Sequence, residues 1–194
     1  MQEILPVTGI ILCGGLSKRM GRQKAFLPYA GKTMIEHSLD MMHELFDEVL
    51  LVSNNPDEFS HLSANLVRDI IPRRGPLVGI LSGLLVAKNQ HSFVLPCDMP
   101  LLTKDLIRNM AAKRHASDML VYSCNGVLEP LLAIYSRNCI EALEEVIFQG
   151  KDLAMDFVIS RRAQIFEYQA QSSNYYPHFN VDTPAHFGTL LSQF

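Results

Sequence analysis

The segment Thr8 to Lys24, reading T-G-I-I-L-C-G-G-L-S-K-R-M-G-R-Q-K, constrains the fold more than any other stretch of the chain. It opens with the apolar, β-branched run Ile10, Ile11 and Leu12, which has the length and composition of a strand buried in a sheet. That strand runs directly into Gly14-Gly15. Two glycines free the backbone, and a loop without side chains can lay its N–H groups against an anion. Ser17, Lys18, Arg19, Gly21 and Lys24 follow, adding a hydroxyl, three cations and another flexible point. A bare Gly-Gly pair can also make nothing more than a tight strand-to-loop turn. The trailing cations turn the reading toward a cradle for a nucleoside triphosphate.

Spacing separates this loop from two commoner phosphate loops. A P-loop needs G-x-x-x-x-G-K-[ST], but five residues lie between Gly15 and Gly21, and Arg22 stands where the lysine is required. The dinucleotide fingerprint G-x-G-x-x-G also fails, because Gly14 and Gly15 are adjacent and no third glycine follows at the needed distance. A dehydrogenase reading therefore loses its main support.

With 194 residues, 48% of them apolar, the chain is long enough for one substantial core, and we expect residues 1–194 to form a single domain. A net charge of -3 argues against broad nucleic-acid binding and favours a small-molecule partner. No apolar run approaches the roughly 20 residues of a membrane span, and Met1-Gln-Glu-Ile-Leu-Pro6 lacks a basic segment followed by an apolar one, so a cytoplasmic location is expected. The four cysteines, Cys13, Cys97, Cys124 and Cys139, show no C-x-x-C spacing and read as buried free thiols. The seven histidines form no metal-binding pair.

Along the chain, strand-like and helix-like segments alternate. Thr33-Met-Ile-Glu36 is a capping box for a helix from Met34 to about Phe46, with Ile35, Leu39, Met42 and Phe46 on its apolar face. Glu48 to Ser53 reads as a buried strand ended by Asn54-Asn55-Pro56; Ser53 and Asn55 are either turn residues or contacts to a base or ribose. Asn65 to Asp69 is a short strand ending on a carboxylate. Gly75-Pro76 then starts a helix to about Lys88, with Gly79 and Gly83 on one face. Arg73 and Arg74 are either solvated or turned toward phosphates. Ser92 to Pro96 is a strand that delivers Cys97-Asp98-Met99-Pro100 to its carboxyl end, where open α/β sheets bind ligands. A hard carboxylate oxygen at Asp98 suits Mg²⁺ bridging nucleotide phosphates.

Thr103 caps a helix to about His115; Met119 to Tyr122 and Glu129 to Tyr135 are strands; and Asn138 to Glu141 is a cap-like start of a helix stopped by Gly150. A helix from Leu153 to Ser160, a strand from Ile165 to Tyr168, a surface loop at Ser172 to Pro177 and a last helix begun by Thr183-Pro184 complete the chain. This alternation implies a three-layer α/β domain with a mostly parallel sheet.

The loop L-C-G-G-L-S-K-R-M-G-R-Q-K resembles that of the MobA-type nucleotidyltransferases, the molybdenum cofactor guanylyltransferases, which reads L-A-G-G-x-S-x-R-M-G-x-D-K; Cys13 and Gln23 are the departures. Further segments resemble the family in order: Asp69 ahead of G-P-L-V-G-I-L, C-D-M-P at Asp98, E-P-L-L-A-I-Y from Glu129, and F-N-V-D-T-P from Phe179. The resemblance implies a Rossmann-like αβα fold of the nucleotide-diphospho-sugar transferase type. It also implies a reaction in which the terminal phosphate of molybdopterin attacks the α-phosphorus of GTP, with Mg²⁺ as cofactor. On this reading the Leu12, Cys13, Gly14 and Gly15 backbone meets the nucleotide, Lys24 and Arg19 neutralise phosphate charge, Asp69 contacts the nucleotide and Asp98 holds the metal. Lys24 and Asp98 are the catalytic pair. Asn180 and Asp182 would help hold metal or second substrate, and Glu129 either lines the second-substrate pocket or is a solvated strand-start residue. Other cofactor-biosynthesis or molybdoenzyme-maturation proteins are possible partners. The alternatives are a CTP-dependent molybdenum cofactor cytidylyltransferase, a sugar-phosphate nucleotidyltransferase and a non-catalytic nucleotide-sensing domain.

Overall fold

The computed structural model describes residues 4–14, 23–72, 75–151, 153–169, 177 and 179–191. Gly15, Arg19, Arg73, Arg74 and most of the expected loop at Ser172 lie outside the described residues.

The predicted first strand is β1, Leu5–Leu12, and it lies inside a seven-stranded sheet. Its parallel neighbours are β4 (Phe46–Ser53) on one side and β6 (His91–Pro96) on the other. Side chains alternate across a strand, so each of these three feeds two cores. Val7, Ile11, Val49, Leu51, Phe93 and Leu95 face one layer, covered by α1 (Met34–His43) and α3 (Lys104–Ala112). Ile10, Leu12, Leu50, Val52 and Val94 face the other, covered by α2 (Pro76–Val86), α4 (Ile140–Phe148) and α5 (Ala154–Ser160). The result is the expected three-layer α/β sandwich. Gly83 lets α2 lie close on β1, since a Cβ there would stand 2.6 Å from Ile10 Cδ1.

Beyond β4 lies β5 (Asn65–Arg68), parallel to it. Beyond β6 come β8 (Val127–Ser136), β7 (Met119–Cys124) and β9 (Gln164–Tyr168), giving the order β5-β4-β1-β6-β8-β7-β9. All pairings are parallel except those of β8, which runs antiparallel to both β6 and β7. The cause is local. Asn125 and Gly126, at φ 52° and 78°, form the two-residue turn of a β7–β8 hairpin, the Asn-Gly pair that accepts positive φ at both positions. Two-residue strands β2 (Pro28–Tyr29) and β3 (Lys32–Thr33) form a separate small hairpin.

The Thr33 capping box forms as expected, with the Thr33 N–H donating to Glu36 Oε2 at 2.7 Å. The helix it starts ends at His43 rather than Phe46, because Phe46 is already paired with Leu5 in the sheet. Helix α2 stops at Val86, short of Lys88: Ala87 turns extended and the Lys88 N–H donates to Glu48 Oε2. Asn138 does not cap α4, which starts after Cys139 with no side-chain cap; the Asn138 N–H donates to the Ser136 hydroxyl at 3.1 Å, which caps the 3₁₀ turn Arg137–Cys139 ahead of the helix. Thr183 caps the last helix, α6 (Pro184–Leu191), by accepting the His186 N–H. A third, small cluster of Leu27, Tyr29, Met34, Val181 and Leu190 ties α6 and the segment before it to the region following the glycine loop. Among the described residues no helix is long and apolar enough to cross a membrane.

Candidate active site

The carboxyl ends of β5, β4, β1 and β6 form one edge, and the backbone carries the pairing one residue past several of them. The Cys13 N–H donates to the Val52 carbonyl at 2.8 Å, the Cys97 N–H to the Leu12 carbonyl at 3.2 Å and the Asp69 N–H to the Ser53 carbonyl at 3.1 Å. Strand ends thereby set Asp69, Cys13 and Cys97-Asp98 in a row. One cleft opens along this edge in two lobes that share Leu12, Cys13, Gly14, Gln23, Pro96 and Leu131.

The first lobe, about 230 Å³, contains the charged groups. Lys24 opens a short 3₁₀ turn, Lys24–Phe26, and its Nζ donates to Asp98 Oδ2 at 2.8 Å and to Asp182 Oδ1 at 2.6 Å. Asp182 is brought in by the Val181 N–H, which donates to the Asp98 carbonyl at 3.1 Å. The Lys24 and Asp98 side chains are only 19% and 13% exposed, so water screens this contact weakly. Burial disfavours the charged form of Lys24, but its hydrogen bonds to Asp182 and Asp98 outweigh that and leave its pKa raised. Burial lifts the Asp98 carboxyl above its usual range against the pull of Lys24. Glu129, at the start of β8, is held by the Leu131 N–H and by Asn180 Nδ2, each at 3.3 Å. Burial, and then the Asp98 and Asp182 charges, raise its pKa against those two donors. Glu129 is therefore a cleft residue rather than a solvated strand start.

The second lobe, about 480 Å³, lies toward β4 and β5 and is lined by Ser53, Asn54, Asn55, Asp69 and Gly79 among others. Asp69 is 8% exposed, and burial pushes its pKa up to about 6. Among the described residues its Oδ1 is buried without a hydrogen-bond partner, and so is Gln23 Oε1 in the shared wall. Buried acceptors left unmade cost stability, and two of them stand together in this cleft. Gly79 faces Asp69, and a Cβ there would lie 3.5 Å from Asp69 Oδ1. Its lack of a side chain keeps the approach to that carboxylate open.

The structure thus brings Leu12, Cys13, Gly14, Lys24 and Asp98 into one lobe and Asp69 into the adjoining one. Gly15 and Arg19 lie outside the described residues. Asp182 stands nearer the centre of the site than its place in the sequence suggested; Gln23, noted only as a departure from the family loop, lines the cleft, and Asn54 and Leu131 are cleft residues that sequence reasoning did not single out. For Asn54 the signal was present in its position directly after the β4 strand. As a donor set for Mg²⁺, the Asp98 and Asp182 carboxylates fit: both already face one cation, and this ion is commonly held by one or two carboxylates with phosphates and water. Among the described residues no group of three or more His, Cys, Asp or Glu side chains is placed to hold a metal ion.

The chain is 34% identical over 97% of its length to a protein of Carboxydothermus hydrogenoformans named probable molybdenum cofactor guanylyltransferase, covering 96% of that protein. It is 38% identical over 75% of its length to the molybdenum cofactor guanylyltransferase of Desulfosudis oleivorans, covering 73% of it. In fold it is similar to the molybdopterin-guanine dinucleotide biosynthesis protein A of Archaeoglobus fulgidus, with a TM-score of 0.80, 21% identity, and coverage of 97% of this chain and 100% of that one. Residues 9–165, from the middle of β1 into β9, match the MobA-like NTP transferase domain, and with these relatives the match establishes that the chain belongs to that family of nucleotidyltransferases.

Proposed function

We propose that this chain transfers guanylate from GTP to the terminal phosphate of molybdopterin, releasing pyrophosphate and leaving the guanine dinucleotide form of the cofactor. Its relatives' names support the reaction. The observation that carries the reading at the site is the polarity of the cleft: a cation shared by two carboxylates at one end, and a buried carboxylate oxygen without a donor among the described residues at the other. The triphosphate belongs with Lys24 and the nucleobase with Asp69.

Asp69 gives a reason for guanine. An ionised carboxylate has two acceptor oxygens, and guanine presents two donors side by side, N1–H and the N2 amino group. Adenine and cytosine place a ring acceptor where guanine has N1–H, so the same carboxylate repels them. The Leu12–Gly14 backbone lies between the two lobes, where a nucleotide spanning both would pass over it.

In the reaction a phosphate oxygen of the second substrate attacks the α-phosphorus of GTP, and the bond from that phosphorus to the bridging oxygen breaks. The electron pair leaves with pyrophosphate. Lys24 would neutralise charge growing on the phosphates, and Asp98 with Asp182 would hold Mg²⁺, which when bound adds positive charge at the same phosphates. Positioning and charge account for most catalysis of this kind, so no covalent intermediate is needed. Glu129 and the Asn180 amide that holds it offer polar groups to the second substrate.

The test is pyrophosphate release with molybdopterin as acceptor and GTP, CTP, ATP or UTP as donor. GTP should be the productive donor. Turnover with CTP alone would move the chain to the cytidylyl branch, and nucleotide binding without turnover of any donor would make it a nucleotide sensor.

A further inference from the structure

Cys13 and Cys97 extend neighbouring parallel strands past their ends. Leu12 stands opposite Pro96 in the β1–β6 register, and the Cys97 N–H donates to the Leu12 carbonyl, so the two cysteines occupy the next paired positions. Alternation puts them on the same face. Cys13 and Cys97 both belong to the core of Ile11 and Leu95, whereas Ile10, Leu12 and Val94 face the opposite core. Paired residues of adjacent strands lie about 4.8 Å apart, inside the roughly 4.4–6.8 Å window over which a disulfide joins two Cα atoms. Neither thiol is tied up in a disulfide. Both also line the lobe that holds Lys24 and Asp98, so a small oxidant in the cleft reaches them. Cys124 and Cys139 lie elsewhere, in β7 and after β8.

We propose that Cys13 and Cys97 form a reversible disulfide that closes the nucleotide cleft. Cys97, half-buried where Cys13 is 3% exposed, meets a peroxide first. Its sulfur attacks one peroxide oxygen; the O–O bond breaks, a sulfenic acid forms, and the other oxygen leaves as water with the thiol proton. The Cys13 sulfur then attacks the sulfenic sulfur. The S–S bond forms, the S–O bond breaks, and hydroxide departs with the Cys13 proton as a second water. The two thiols lose two electrons and the peroxide gains them. A dithiol reductant reverses the change.

Closure follows from where the two residues sit. Cys13 is part of the backbone between the lobes and Cys97 directly precedes Asp98. Bringing the two sulfurs to about 2.05 Å turns both cysteine side chains within the wall of the lobe and locks the two segments together, while binding geometry tolerates displacements of only about 0.5 Å. This consequence, unlike the disulfide itself, rests on the nucleotide reading above.

The experiment treats the full chain with hydrogen peroxide, maps disulfides by peptide mass spectrometry and measures GTP affinity before oxidation, after it and after dithiothreitol. We expect a Cys13–Cys97 cross-linked peptide, loss of two of the four thiols, a fall in GTP affinity on the order of tenfold or more, and recovery on reduction. Mg²⁺ with GTP should slow formation of the cross-link by covering the lobe. For Cys13→Ala and for Cys97→Ala, the ratio of oxidised to reduced affinity should stay near one, each variant being compared with itself; Cys124→Ala should respond as the parent does. Absence of the cross-linked peptide from the oxidised parent overturns the proposal, as does equal peroxide sensitivity in Cys13→Ala. A reduced parent that forms the cross-link but never binds GTP contradicts the nucleotide reading and the closure, leaving the disulfide standing.

Discussion

Two buried carboxylates at opposite ends of the same sheet meet opposite fates. At the amino end, Glu48 is 7% exposed and fully engaged: its Oε2 accepts the Thr8 hydroxyl at 2.7 Å and the Lys88 N–H at 2.8 Å. Asn89 extends that network by donating to Thr8 Oγ1 at 3.2 Å. At the carboxyl end, Asp69 is 8% exposed, nearly the same burial, yet its Oδ1 has no donor among the described residues. Asp98 and Asp182 there share a single ammonium. A satisfied buried carboxylate stabilises the fold, and an unsatisfied one spends stability on readiness for a ligand. On the proposed function, the difference sets structure at one end of the sheet and chemistry at the other.

The sharpest way to break the comparison is Asp98→Asn. The amide keeps the shape of the side chain but brings no charge to a metal ion. Pyrophosphate release should disappear, while thermal melting moves by roughly 2–4 °C or less, as for a cost of about 1 kcal/mol. Activity retained at ordinary Mg²⁺ would take Asp98 out of the site. Lys24→Ala comes next. Loss of one cation aimed at developing charge typically lowers the rate on the order of 10²- to 10³-fold, and stability should change far less. Steady-state kinetics beside a melt decide this; parental turnover in a folded variant would make the loop a turn.

Glu48→Ala tests the other end. It leaves the buried Thr8 hydroxyl and the Lys88 N–H without their acceptor, so denaturant unfolding should show a loss of about 1–3 kcal/mol, with GTP affinity unchanged in the folded protein. A weakened nucleotide would mean that the two ends are coupled. Asp69→Asn gives the smallest change in stability, and of opposite sign. A carboxyl whose folded pKa is about 6, against 3.8 as the ordinary value, takes up its proton more readily when folded. Its contribution to stability is present below pH 3.8 and is lost as pH rises through about 6. The asparagine variant should therefore lose that pH dependence, equal or exceed the parent's stability at pH 7, and bind GTP more weakly. Melting curves collected from pH 4 to pH 8 check the sign.

Much of this was legible in the sequence, for physical reasons that differ by element. The parallel strands announce themselves as short apolar runs, and Thr33 with Glu36 marks a helix start by a hydrogen-bond exchange complete within four residues. Phe46 misled because an apolar residue fits both the helical and the strand period, and only pairing with Leu5 decides between them. The reversal of β8 was written in Asn125-Gly126, a turn signal that the alternation of elements obscures. Asp98 was legible because its strand and its place at the strand end are local. The contact of Asp182 with Lys24 was not, since it spans 158 residues and depends on Val181 and the packing of α6. Asp69 was legible as a strand-end carboxylate, but its burial, and the lack of a donor to its Oδ1 among the described residues, come from the packing around it.

The most direct test of the account is calorimetric titration of the reduced protein with GTP, CTP, ATP and UTP in the presence of Mg²⁺. The cleft as described predicts that GTP binds tightest and that Asp69→Asn removes most of its advantage over the other three. Tighter binding of CTP than GTP by the parent, or an undiminished GTP preference in Asp69→Asn, would contradict it.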